Sequence, residues 1–237
     1  MMIGIIVAMD AEFRLTEALL EHKREYAVGG FRFLQGRSGR QEMVIMQSGI
    51  GKVCAATGAA EMLFRFSPGC IFNTGVAGGI DASLQVMDIV VGKEVVYHDV
   101  WCGEGNEVGQ VQGMPARYVA DRRLYEAALS ARSDVALHGG LICSGDQFIT
   151  DRQALDAIKG KFPEGLAVDM ESGAIAQVCH IYGVPFLSCR VISDTPGRTE
   201  NHALQYRDFW TVAPEKSFEV LRQVIANVVE NEPAGRV

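Results

Sequence analysis

The chain has 237 residues, 48% of them apolar and 22% charged, with a formal net charge of −7. The apolar share permits a substantial core, and the acidic balance argues against nucleic acid or an anionic membrane as partner, since both favour basic surfaces. No apolar run approaches the roughly 20 residues that span a bilayer, so a cytoplasmic protein is expected, most economically one α/β domain over residues 1–237 with about 231–237 as a frayed tail.

Strand-like and helix-like patterns alternate from end to end, the mark of an α/β fold. The apolar start reads as a strand over Ile3–Ala8 rather than a signal peptide, because it lacks a basic leader and Asp10 and Glu12 follow at once. A helix is predicted over Asp10–Glu21, then a hairpin of Phe31–Gly36 and Met43–Gln47 about the polar turn Arg37-Ser38-Gly39-Arg40. An alanine-rich helix over Val53–Phe66 leads to a strand at Cys70–Thr74. Ile89–Val91 and Val95–Tyr97 supply more β structure, and Arg122–Ala131 reads as a short helix. Between them, Glu104–Met114 is a long irregular stretch that suits a site loop, an interface or a surface excursion equally. A strand at Gly140–Ser144 and a helix at Arg152–Lys161 follow. Two strands that end in acids come next, Leu166–Glu171 and Phe186–Asp194, separated by the helix Ser172–Tyr182. One long final helix is predicted over Tyr206–Glu230.

The six cysteines are scattered, mostly in apolar segments and without a C-x-x-C pair, so they read as buried free thiols. Gly49-Ile50-Gly51-Lys52-Val53-Cys54 lacks the third glycine of a dinucleotide fingerprint. As a P-loop it fails at Met46 and Val53. No H-E-x-x-H, Cys/His cluster or G-x-S-x-G elbow is present, and His98-Asp99 alone makes no metal set.

What remains are glycine-rich strand ends and acids. Ligands of open α/β sheets lie outside the carboxyl ends of the strands, where Glu171 and Asp194 stand. Ser48-Gly49-Ile50-Gly51 and Asn73-Thr74-Gly75-Val76-Ala77-Gly78-Gly79 end two further strands, and glycine there lets a ligand approach the backbone. Each acid also has an ordinary alternative. Glu12 and Glu171 sit at helix starts, where they complement the helix dipole, and Asp194 precedes a Pro-Gly breaker, where it suits a turn. Phe148, in Ser144-Gly145-Asp146-Gln147-Phe148-Ile149, suits a stack on a flat ligand or the core.

Taken in order, GIIVAMDAE, SGIGKV, NTGVAGG, MDIVV, YHD, SGDQFI, VDMES-AIA-VCH and RVISD span residues 3–210 and resemble the 5′-methylthioadenosine/S-adenosylhomocysteine nucleosidases of the purine nucleoside phosphorylase superfamily. The resemblance implies a three-layer phosphorylase/hydrolase-like fold with a central mixed twisted sheet flanked by helices. It implies hydrolysis of an N-glycosidic bond, releasing adenine and a 5-thio-substituted ribose, with no metal or organic cofactor. By the same resemblance Asp194 is the general acid at adenine N7, oriented by Ser193, and its apolar strand end supplies the desolvation that raises a carboxyl pKa. Glu12 polarises the attacking water, Arg190 holds water and sugar, Glu171 grips the ribose hydroxyls and Met170 packs on the sugar. Phe148 stacks on adenine, the Ile149 backbone pairs with its edge, and Met9, Ile50 and Phe209 line the sugar and alkylthio pocket. A homodimer is implied, part of the pocket coming from the neighbouring subunit.

Four departures stand out. Val76 replaces a serine common in the family, Asp169 shortens the usual glutamate, and Trp101-Cys102-Gly103-Glu104 and Thr195-Pro196-Gly197 follow no familiar pattern. Rival readings share the fold. A phosphorylase needs cations around phosphate and, in the family's relatives, an arginine at the position of Asn73; a carboxylate at Glu12 suits water instead. A hydrolase of futalosine-type nucleosides shares the ribose grip, and a non-catalytic nucleoside-binding protein would leave Glu12 and Asp194 without a role.

Overall fold

In a computed structural model, which describes residues 1–196, 206–210 and 214–231, the chain builds one mixed sheet from ten strands. The first, β1 (Ile3–Val7), is buried at every position and pairs in parallel with β4 (Gln41–Gln47) and β5 (Cys70–Gly79). A strand covered on both faces reads as a continuous apolar run, which is why Ile3-Gly4-Ile5-Ile6-Val7 is legible. Alternate residues serve opposite layers. Ile3, Ile5 and Val7 join a core with Phe13, Leu124 and Phe218, whereas Ile6 joins Ala55, Ala59, Met62 and Ile175. Helices α1 (Asp10–Thr16), α3 (Arg122–Leu129) and the final helix (Pro214–Asn231) thus cover one face, and α2 (Lys52–Phe66) and α5 (Ser172–Tyr182) the other. A third cluster joins α4 (Arg152–Lys161) to β8 (Leu137–Ser144) and β9 (Gly165–Asp169). This is the expected three-layer α/β arrangement.

The remaining strands are β2 (Glu21–Val28), β3 (Phe31–Ser38), β6 (Ile89–Tyr97), β7 (Tyr118–Val119) and β10 (Phe186–Asp194). The sheet runs β10-β6-β8-β9-β5-β1-β4-β3-β2, with β7 on β6. Because β10 also pairs with β5, five strands close into a ring, and β1, β4, β3 and β2 extend from it as a flap.

Several elements differ from the sequence-based expectation. The first helix ends at Thr16, whose hydroxyl bonds back to the Glu12 and Phe13 carbonyls at 2.9 and 3.0 Å, and a 3-10 turn follows at Glu17–Leu19. Glu21 then opens β2, a strand absent from the expectation. Its charged, mostly exposed run carries no apolar alternation because it is the sheet's edge, where charge blocks further pairing. The glycine run Asn73–Gly79 is strand, not loop. Partners β10 and β9 carry its ladder, and at Gly79 a Cβ would come within 3.0 Å of Ile192. β6 is continuous, with a bulge between Gly92 and Glu94. β9 stops at Asp169, leaving Glu171 as the N-cap residue of α5. The expected final helix is described as helical residues 206–210 and a helix opening at Pro214. Proline is favoured at a helix start, where its missing N–H costs nothing. Gly197 and the expected tail over 232–237 lie outside the described residues. All six cysteines are free, but Cys54 and Cys102 are exposed.

Candidate active site

At the carboxyl ends of these strands the chain forms a cleft. Ala8, Met9 and Glu12 enter it after β1, Ile50 after β4, and Val76 to Gly78 from β5. Gln147, Phe148 and Ile149 come after β8, Val168 and Asp169 from the end of β9 with Met170 and Glu171 just after it, Ser193 and Asp194 from β10, and Tyr206 from the helical segment. Residues distant in sequence meet because each follows, or ends, a different strand of one sheet.

Glu12 lies in the first turn of α1 and is 1% exposed. Its Oε2 accepts from the Ala8 and Met9 N–H groups at 2.9 Å each, and its Oε1 accepts from the Val76 N–H at 3.0 Å. The carboxylate thus caps its own helix and also bridges to β5. Burial raises its pKa, opposed by Arg190 and the three N–H groups. Val76 contributes through its backbone, so the departure from serine leaves this bond intact. Beside it, Gly75 has φ +145°, and a Cβ there would collide with Glu12 and with Arg190.

Arg190 stands behind the cleft, 1% exposed. Its Nη2 is 2.5 Å from Asp169 Oδ2, donates to Asn73 Oδ1 at 2.5 Å and to Ser172 Oγ at 3.1 Å. Ser172 Oγ in turn donates to Asp169 at 2.5 Å and meets Ser188 Oγ at 2.7 Å, and Asn73 Nδ2 donates to the Ile6 carbonyl at 3.0 Å. A buried guanidinium needs such partners, since an unpaired charge there is prohibitive. Asp169 is therefore the counter-ion of Arg190. Asn73, which the sequence argument used only for lacking positive charge, anchors the same network.

Glu171 is close to this charge, with Oε2 3.7 Å from Arg190 Nη2, while Oε1 accepts from the Gly51 N–H at 3.0 Å. Burial pushes its pKa up to about 7 against the pull of Arg190, and neighbouring Asp169 and Glu12 add to the rise. Asp194 is 2% exposed and accepts from Ser193 Oγ at 2.7 Å. The β10–β5 register shifts between Ile192 and Asp194, and a bulge of this kind re-aims the side chain that follows it. Four buried carboxyl groups thus line one cleft, Asp169 engaged by Arg190 beside Glu12, Glu171 and Asp194, and the walls, Met9, Ile50, Val76, Ile149 and Met170, are apolar.

Of the residues singled out from sequence, Met9, Glu12, Ile50, Val76, Phe148, Ile149, Met170, Glu171, Ser193 and Asp194 line the cleft together. Arg190 is behind it. Phe209 is 3% exposed and packs in the core with Phe218 and Val224, its ring 5.4 Å from that of Trp210. Tyr206, nearly one helical turn earlier, is the aromatic that reaches the cleft, with its ring 5.6 Å from Phe148 and its hydroxyl 3.5 Å from the Met9 sulfur. Tyr206 was legible only as the start of a helix; its neighbours Phe209 and Trp210 carried no sign of which ring faces in. Among the described residues, no group of three or more His, Cys, Asp or Glu side chains could hold a metal ion.

Comparison with known proteins identifies the family and the fold. The family model of the phosphorylase superfamily matches residues 2–226. A 5′-methylthioadenosine/S-adenosylhomocysteine nucleosidase of Lysinibacillus sphaericus (strain C3-41) is 39% identical over 96% of this chain and 100% of its own. The crystal structure of the nucleosidase of the same name from Neisseria meningitidis, in complex with methylthio-immucillin-A, superposes with a TM-score of 0.89 at 36% identity, covering 94% of this chain and 98% of that one. The native structure of the futalosine hydrolase of Helicobacter pylori strain 26695 superposes with a TM-score of 0.87 at 27% identity, over 97% of each chain. The chain belongs to the phosphorylase superfamily and, within it, to the 5′-methylthioadenosine/S-adenosylhomocysteine nucleosidases.

Proposed function

We propose that this protein hydrolyses the N-glycosidic bond of 5′-methylthioadenosine and S-adenosylhomocysteine, releasing adenine and the 5-thio-substituted ribose. The observation that carries this reading is the set of buried acids Glu12, Glu171 and Asp194 around one apolar cleft. Water attacks the anomeric carbon as its bond to adenine N9 breaks. Glu12 takes a proton from that water, and its raised pKa makes it the stronger base once ionised. Asp194 gives a proton to N7 of the departing purine. The ionised Glu171 accepts hydrogen bonds from the ribose hydroxyls, and Met170 packs on the sugar. Arg190, held by Asp169, Asn73 and Ser172, supplies positive charge beside Glu12 and Glu171. Phe148 and Tyr206 wall the purine and sugar sides of the cleft, and the alkylthio group is held by apolar burial.

Phosphate suits this site poorly, because its nucleophile position is lined by a carboxylate and Asn73 supplies no charge. Incubation with methylthioadenosine in phosphate-free buffer should yield free adenine; release only after phosphate is added would overturn the hydrolytic reading. The likeness to a futalosine hydrolase makes that nucleoside class the second reading, and futalosine assayed in parallel ranks the two. Two further readings accompany the proposal. No helix of the described residues is long and apolar enough to cross a membrane, in keeping with a cytoplasmic enzyme. A homodimer accounts for Val53 and Phe64 on α2 and Ile181 and Tyr182 on α5, large apolar side chains that lie exposed.

A further inference from the structure

Residues Asp146–Phe148 are exposed and belong to no helix or strand, although they carry the ring assigned above to adenine. Their attachment is a closed set of bonds from two residues outside the cleft wall. The Asp146 carboxylate accepts from the Lys52 backbone N–H at 2.8 Å, and the Asp146 N–H donates to Asp99 Oδ2 at 2.9 Å. The Lys52 ammonium closes the set, donating to the two Asp99 oxygens at 2.9 and 2.8 Å. It also lies 5.2 Å from the centre of the Tyr97 ring. Beneath this latch there is no slack. A Cβ at Gly145 would stand 2.5 Å from His98 Nε2 and 2.8 Å from Asp99 Cγ.

The latch also has a fixed relation to the ribose acid. Gly51 and Lys52 are consecutive at the start of α2; the Gly51 N–H donates to Glu171, and the Lys52 N–H to Asp146. One helix end therefore carries both the sugar grip and the purine loop. Surface ion pairs add little to stability, but binding is sensitive to small displacements of recognition groups.

We infer that Lys52 and Asp99 are positioning residues for purine recognition, holding Phe148 and Ile149 at a set distance from Glu171. This rests on the assignment of Phe148 and Ile149 to adenine.

Equilibrium binding of adenine and of 5-methylthioribose, measured separately by calorimetry, tests it. Lys52→Met and Asp99→Asn should each weaken adenine about tenfold, or ~1.4 kcal/mol. Binding of 5-methylthioribose should stay within about twofold, because the Gly51 N–H that holds Glu171 is a backbone group neither substitution removes, and Lys52→Arg should recover part of the adenine affinity. Phe148→Ala is the control for the underlying assignment. Adenine weakened by Phe148→Ala but not by the latch variants overturns the inference and leaves the purine assignment standing. Adenine indifferent to Phe148→Ala removes the assignment and the inference together. Equal weakening of both ligands, with a lowered unfolding temperature, would mark the latch as merely structural. Should Lys52→Met fail to fold, Asp99→Asn and Lys52→Arg carry the same comparison.

Discussion

The carboxylate of Glu12 accepts three backbone N–H groups while its second neighbour is the Arg190 charge. Replacing it by Gln keeps the size but turns an amide NH2 toward N–H donors. That leaves a buried polar mismatch costing about 1–3 kcal/mol. If Glu12 were only a cap, the loss would end there. On the proposed mechanism it also receives the proton of the attacking water, and Glu12→Gln is then expected to lower kcat by about 10²–10⁴-fold. Turnover and thermal unfolding measured on the same sample separate the two effects, and an unchanged kcat would leave only the cap. Asp194→Asn removes the proposed proton donor but not the shape of the cleft. Adenine release should fall by a similar factor of about 10²–10⁴, with adenine binding retained. A variant as active as the parent would remove Asp194 from the mechanism.

At the scale of elements, the β1–α1 and β9–α5 junctions carry the acids of the proposed chemistry, and at the first of them Glu12 lies against the interior of β5. Gly75 in β5 passes beside Glu12 and Arg190 at a φ that side chains rarely adopt. Gly75→Ala is therefore expected to cost activity and at least about 1 kcal/mol of stability, seen as a lower denaturation midpoint; an unshifted midpoint with full activity would show that the strand can yield there. At the other junction Glu171 caps α5, where a helix dipole favours its charge, yet burial wins and its pKa rises to about 7. The sign follows from linkage. A carboxyl whose folded pKa exceeds its unfolded value of 4.5 adds stability that is full below about 4.5 and is lost as pH rises through about 7. The proposed grip on the ribose hydroxyls needs the ionised form, so 5-methylthioribose affinity should fall below pH 7, approaching tenfold per pH unit. Glu171→Gln should flatten that profile; a wild-type profile already flat from pH 5.5 to 8 would refute the linkage to Glu171.

For the whole molecule, α2 and α5 cover one face of the sheet and present Val53, Phe64, Ile181 and Tyr182 outward, the Phe64 and Tyr182 rings 5.4 Å apart. Exposed apolar side chains gathered on one face suit the interface of the proposed homodimer. Sedimentation equilibrium should show a dimer, and Phe64→Asp should shift it toward monomer; a wild-type monomer at micromolar concentration would refute the homodimer.

The sequence by itself determined the α/β alternation, the buried strands and the acids Glu12, Glu171 and Asp194. Apolar runs and strand-end carboxylates are local signals, and the ordered family motifs tie them to one reaction. It carried a partial sign of the inner network too, since Ser188 and Arg190 share one face of a strand that is otherwise apolar until Ser193. Only the tertiary structure decided the partners. Arg190 meets Asn73 and Ser172 across 117 and 18 residues, and no local pattern encodes a contact made by closing five strands into a ring. Packing of the helical residues 206–210 turned Phe209 into the core and Tyr206 toward the cleft, and the edge position of β2 kept it out of the apolar pattern. Periodicity records which residues are buried, but which buried groups touch depends on strand order, and strand order is settled by the packing of the whole chain.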